Sequence, residues 1–137
     1  MESFVVDASV AMTWCYPDEN SPYAYRVLDA LGQAQAVVPS LWAVEVANAL
    51  VVGERRHRLA AAEVAHFLGL LTGLSVEVDG ETASRATGDT LSLARTHGLS
   101  AYDASYLELA MRRALPLATL DEQLKKAAKT VGVNLVA

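Results

Sequence analysis

Hydrophobic and polar positions change rhythm repeatedly along the chain, and each change marks an element. Phe4-Val5-Val6 is a short β-favouring run that ends on Asp7, and Ala8 to Tyr16 then carries helix-compatible residues until Pro17 stops them. Pro17 to Pro22 reads as a loop, after which Tyr25, Val27, Leu28 and Leu31 fall at helical spacing before Gly32. Ala36-Val37-Val38 is a short buried strand closed by Pro39, and Ser40 stands where it would cap an alanine-rich helix running to about Arg56. Ala60 to Leu71 puts Val64, Phe67, Leu68 and Leu71 on one helical face. Ser75 to Val78 alternates as a strand does, and Thr82 to His97 returns to helical spacing until Gly98. Ser100 heads a helix from Ala101 to Ala114, and Leu115 to Leu120 contains a short strand. Asp121 opens a helix to about Thr130, and Asn134-Leu135-Val136 is a last strand.

The strands are short, apolar and separated by helices. Neighbouring parallel strands need a crossover connection, so this alternation predicts an α/β fold with a mostly parallel sheet covered by helices on both faces. A length of 137 residues suits one domain, residues 1–137.

Composition adds limits. With 53% hydrophobic and 20% charged residues there is ample material for a core and no sign of disorder. The net charge of -5 is poor for holding nucleic acid by charge alone, so cations must help if a polyanion binds. The N-terminus lacks the basic and long apolar regions of a secretion signal. The most apolar stretch, Ala36 to Val52, is interrupted by Pro39, Ser40, Glu45 and Asn48, which argues against a membrane span. Cys15 is the sole cysteine, so no internal disulfide forms, and a cytoplasmic location is expected.

Four carboxylates stand in unusual places. Asp7 and Asp121 each follow an apolar strand, where open α/β sheets place ligand sites, although either also suits the cap of the next helix. Glu45 shares its helix face with Leu41, Trp42 and Ala49, and Asp103 lies one turn before Leu107 on a stripe continued by Ala110 and Met111. An acid on an apolar face needs a partner, which is either a Lys or Arg from elsewhere or a cation. Two carboxylates about 5 Å apart repel by roughly 3 kcal/mol at an effective dielectric of 20. Should all four converge at one end of the sheet, hard oxygen ligands with open positions suit Mg2+ or Mn2+, which commonly engage phosphate oxygens as well. The substrate expected is then a phosphodiester. Ser9, Asn48 and Thr119 lie near these acids and can orient them by hydrogen bonds, with ordinary capping or turn bonding as the other reading.

The remaining cations, Arg55, Arg56, Arg58, Arg112, Arg113, Lys125, Lys126 and Lys129, gather toward helix ends and read first as solvated faces. His57, His66 and His97 lack metal-ligand spacing. Trp14, Trp42, Tyr102 and Tyr106 read as packing residues before base-stacking ones.

At the acidic positions the sequence resembles the PIN-domain family and, within it, the VapC toxins of bacterial toxin and antitoxin pairs. The matching pieces are Val5-Val6-Asp7-Ala8-Ser9, the run from Pro39 to Leu50, Gly98 to Tyr106, and Pro116 to Asp121. The resemblance implies a magnesium-dependent endoribonuclease with Asp7, Glu45, Asp103 and Asp121 at the family's acidic positions and Ser9, Asn48 and Thr119 as their polar companions. It also implies a three-layer α/β/α fold with a five-stranded parallel sheet, a homodimer, an RNA substrate, and a small antitoxin whose C-terminal segment covers the site. Other readings compete. Haloacid-dehalogenase-like phosphatases expect a second Asp where Ser9 stands, and receiver domains expect an acidic pair and a late lysine that are out of register here. A non-catalytic binding module would keep the acids for structure alone.

Overall fold

A computed structural model describes residues 2–16 and 18–137. Its centre is a parallel sheet of four strands, β1 (Glu2–Val6), β2 (Ala34–Val38), β3 (Val76–Val78) and β4 (Leu117–Ala118), in the order β3-β2-β1-β4. Strand β1 pairs with β2 from Glu2↔Ala34 to Val5↔Val37, and with β4 through Val5↔Leu117 and Val6↔Ala118. Helices cover both faces, so β1 buries both sets of its alternating side chains. Val5 packs with Val46, Leu50, Leu107 and Ala110, whereas Phe4 and Val6 pack with Ala24, Val27 and Leu31.

The fold departs from the sequence reading at four places. Asn134-Leu135-Val136 makes a single parallel bridge, Leu117↔Leu135, in place of a fifth strand. Its partner β4 is only two residues long, because Pro116 before it has no N–H to donate and Asp121 soon after opens a helix. The first helix, α1 (Ala8–Thr13), stops short of Tyr16, whose hydroxyl instead donates to the Ala49 carbonyl at 3.0 Å; Pro17, its expected stop, lies outside the described residues. Ser40 does not cap α3 (Leu41–Arg55) with its side chain; it has helical φ and ψ, and its N–H donates to Thr82 Oγ1. The expected helix from Thr82 to His97 is α5 (Thr82–Arg85) and α6 (Leu91–His97), joined by a π-helical stretch, Ala86–Thr90, around Gly88.

The other helices follow their signals. In α2 (Pro22–Ala30), Pro22 sits in the first turn and Ser21 Oγ accepts from the Ala24 N–H. In α4 (Ala61–Thr72), Glu63 reaches back to accept from the Ala60 N–H at 2.8 Å. In α7 (Ala101–Arg113), Ser100 Oγ accepts from the Asp103 N–H at 3.0 Å, and in α8 (Glu122–Val131), Asp121 Oδ1 accepts from the Leu124 N–H at 2.8 Å. Among the described residues no helix is long and apolar enough to cross a membrane. Cys15 is buried and free, and burial pushes its thiol pKa upward, so it reads as packing.

Candidate metal centre

Parallel neighbours β1 and β4 end side by side, and the chain leaves both in the same direction. Asp7 follows β1 and Asp121 follows β4, so the sheet alone brings these two acids to one edge. Asp7 is 4% exposed and its side chain does not cap α1. Instead Ser9 Oγ and Thr119 Oγ1 both donate to Asp7 Oδ2, each at 2.8 Å.

Backbone amides fix the direction of those hydroxyls. The Leu120 N–H donates to Ser9 Oγ at 3.2 Å and the Asp121 N–H donates to Thr119 Oγ1 at 3.0 Å. A hydroxyl that accepts from an amide is free to spend its one proton on the carboxylate. Both hydroxyl donors converge on Oδ2, and the Ser9 backbone N–H also acts on the carboxylate. Asp7 is thus held through Oδ2, on the side of β4.

Glu45 comes from α3 and Asp103 from α7, and each is half-buried. Tyr106, one turn after Asp103 and 0% exposed, donates its hydroxyl to Glu45 Oε1 at 2.5 Å. Asn48 lies one turn after Glu45, is exposed, and makes no side-chain hydrogen bond among the described residues. It shares with Leu41, Val44, Glu45 and Tyr102 an open cleft of about 360 Å³. A cleft of about 440 Å³ near Ala110, Leu115, Pro116 and Gly132 carries no ionisable side chain, so size does not select the chemistry here.

The acids feel one another. Burial pushes Asp7 above its ordinary pKa, the hydrogen bonds from Ser9 and Thr119 oppose that push, and the charge of Asp121 adds to it. Burial likewise raises Glu45, against the Tyr106 hydrogen bond, with the charges of Asp7 and Asp103 adding to the rise. Asp103 is raised by burial, then by Asp7 and Asp121. Mutual repulsion thus links all four carboxylates, as proximity at one sheet edge requires.

Cations do not relieve it. The ion pairs of the described residues take up Asp18, Glu19, Glu77, Asp79, Glu81, Asp89, Glu108 and Glu122, and none involves Asp7, Glu45, Asp103 or Asp121. Arg112 and Arg113, which the sequence presents as solvated ends of α7, are instead engaged. Arg112 joins buried Asp79 at 2.7 Å and buried Glu108 at 2.9 Å, and Arg113 grips Glu77. Arg58 pairs with Asp18 and Glu19 and lies over the Tyr16 ring at 4.3 Å. The basic side chains best placed to neutralise acids serve other ones.

The donor set suits a hard divalent cation: carboxylate oxygens, with no histidine or cysteine grouped beside them among the described residues. Among the described residues no three acidic, histidine or cysteine side chains are grouped closely enough to hold an ion by themselves. Magnesium does not ask for such a cage, since one or two carboxylates, waters and substrate phosphates complete its shell. Sequence reasoning overlooked Tyr106 as a partner of Glu45. Its spacing from Asp103 was visible, but a packing residue and a residue donating across to another helix have the same periodicity.

The parallel α/β sheet with Asp7 and Asp121 at one edge accords with the family comparison, in which residues 4–130 match the family model described as PIN domain. The chain belongs to the PIN-domain family. It is 36% identical over 121 residues to "Ribonuclease VapC3" of Pyrobaculum aerophilum, covering 88% of this chain and 90% of that protein. Among solved structures, PAE2754 from Pyrobaculum aerophilum aligns with a TM-score of 0.67 at 25% identity, over 92% of this chain and 79% of that one. VapBC2 from Rickettsia felis, solved bound to a DNA fragment from its promoter, aligns with a TM-score of 0.68 at 12% identity, over 98% and 97%, and so shares the fold.

Proposed function

We propose that residues 1–137 act as one domain with metal-dependent endoribonuclease activity, hydrolysing RNA phosphodiester bonds, and that this domain is the toxin of a toxin-antitoxin pair. The observation that carries the reading is the set of four mutually repelling carboxylates from four elements, none with a Lys or Arg partner among the described residues. The name of the VapC3 relative supports the activity. In this reading Asp7, Glu45, Asp103 and Asp121 hold Mg2+ or Mn2+, and Ser9 and Thr119 keep Asp7 turned so that Oδ1 stays available. Asn48, lining the cleft beside Glu45, orients water or a phosphate oxygen there. A bound divalent ion supplies a lowered pKa for the attacking water and compensates charge on the leaving oxygen.

RNA then enters along the open cleft past Tyr102 and Val44, which are 65% and 70% exposed. Lys126 and Lys129, exposed on α8 and without ion pairs among the described residues, meet phosphates and offset the acidic balance of the chain. A homodimer, a small antitoxin covering the site, and a cytoplasmic location complete the proposal by the likeness to VapC toxins.

The reading of a non-catalytic module separates from this one in a single experiment. Purified protein is incubated with total RNA and magnesium, with and without chelator, beside Asp103→Asn protein whose fold is checked by circular dichroism. Cleavage that needs the metal and disappears in the folded variant is expected. A folded Asp103→Asn protein that cuts at the wild-type rate overturns the proposal.

A further inference from the structure

Tyr106 is the largest fully buried side chain among the described residues, and its single polar atom lies where three elements meet. Its hydroxyl donates to Glu45 Oε1 on α3, the backbone N–H of Ala8 at the start of α1 faces the same oxygen, and its own helix carries Asp103 one turn earlier. A hydroxyl on one carboxylate oxygen is also what holds Asp7, where Ser9 and Thr119 donate to Oδ2.

We propose that Tyr106 is the positioning residue of the acidic site. Through one hydroxyl it locks Glu45 with Oε2 free and fixes the spacing between the helix-borne acids Glu45 and Asp103. This rests on the nuclease reading above, because the free oxygens matter only if an ion uses them. The half-exposed Glu45 has no other side-chain partner among the described residues, so without Tyr106 its flexible side chain turns into the adjoining cleft.

The test is Mn2+ binding by isothermal titration calorimetry to wild type, Tyr106→Phe, Glu45→Ala and the double variant, none of which requires RNA. Phenylalanine keeps the ring and its packing. Tyr106→Phe is expected to weaken Mn2+ binding about tenfold, in the range seen when groups orienting a ligand are removed. In the Glu45→Ala background the same change is expected to alter affinity less than about twofold, because the hydroxyl then has nothing to hold. Equal Mn2+ affinity in wild type and Tyr106→Phe overturns the positioning role, as does an equal loss in both backgrounds. Wild-type protein that binds no Mn2+ overturns the metal-centre reading beneath it and the role together. Should Tyr106→Phe fail to fold, 3-fluorotyrosine at position 106 keeps the test open. Its fluorine resonance is expected to shift with saturating Mg2+, and a resonance that ignores Mg2+ in a protein that binds it overturns the proposal.

Discussion

Thr119→Val removes one oxygen at almost constant volume from a side chain that is 1% exposed, so its consequences can be worked out bond by bond. The variant loses the 2.8 Å hydrogen bond to Asp7 Oδ2, and a hydrogen bond to an ionised carboxylate contributes about 1.5 to 3 kcal/mol. It also strands the Asp121 N–H, which donated to Thr119 Oγ1 at 3.0 Å. That amide begins a helix beside a half-buried residue, so water partly replaces the lost acceptor and the added cost stays near 1 kcal/mol. The sum is about 3 kcal/mol. At about 2.1 cal/mol/K per residue, 137 residues give an unfolding entropy near 290 cal/mol/K, so the melting temperature should fall by about 10 °C. The assay is thermal denaturation followed by circular dichroism in metal-free buffer. Asp7→Ala supplies the control, because with the carboxylate gone Thr119→Val should cost about 1 kcal/mol alone. RNA cleavage should drop by about 10- to 100-fold as Asp7 gains freedom to turn. A Thr119→Val protein that melts within about 2 °C of wild type would refute the view that this hydroxyl braces Asp7.

Stability should respond to pH and magnesium together. Asp7, Glu45 and Asp103 have raised folded-state pKa values, so what they add to stability is present below their unfolded values near pH 4 and is lost as pH rises through the folded ones. Millimolar Mg2+ should therefore raise the melting temperature near pH 8 and hardly at all near pH 4, and an equal increment at both would contradict the shared site. Asp79 runs the other way: the Arg112 hydrogen bond lowers its pKa, so its contribution is lost as pH falls through the folded value. Arg112→Met leaves buried Asp79 and Glu108 without their cation and should cost about 3 kcal/mol by chemical denaturation, whereas a loss under about 1 kcal/mol would show that network to be idle. Gly53→Ala would set a Cβ 2.6 Å from both Leu59 Cδ1 and Tyr16 Oη and should destabilise by about 1 to 3 kcal/mol. Gly69→Ala, in open space within α4, should stabilise by about 0.5 to 1 kcal/mol in the same melts.

Local rhythm carried much of the fold because the features that decide it are local. Phe4-Val5-Val6 before Asp7, Ser100 before α7 and Asp121 before α8 are signals within a few residues, and each stands where the chain does change element. Asp121 also shows that a capping reading and a site reading do not exclude each other, since its Oδ1 caps α8 while its charge still acts on Asp7 and Asp103. The less legible parts depend on distant partners. Ser40 looked like a cap, yet Thr82, 42 residues away, takes its N–H. The last strand shrank to one bridge because its neighbour is shortened by Pro116. Arg112 looked like a solvated helix end, and no periodicity announces that Asp79 waits 33 residues away to pair with it. At the candidate site the spacing set the acids on their elements, but which oxygens are already spent on Ser9, Thr119 and Tyr106 is written only in three dimensions.

Four carboxylates that share a divalent cation should reveal it directly. Crystals grown with MnCl2 and measured at a wavelength where manganese scatters anomalously would locate the ion without any enzymatic assay. A peak is expected about 2 to 2.5 Å from Asp7 Oδ1, with further carboxylate oxygens of Glu45, Asp103 or Asp121 around it. Manganese bound elsewhere on the protein while these four side chains stay bare would contradict it.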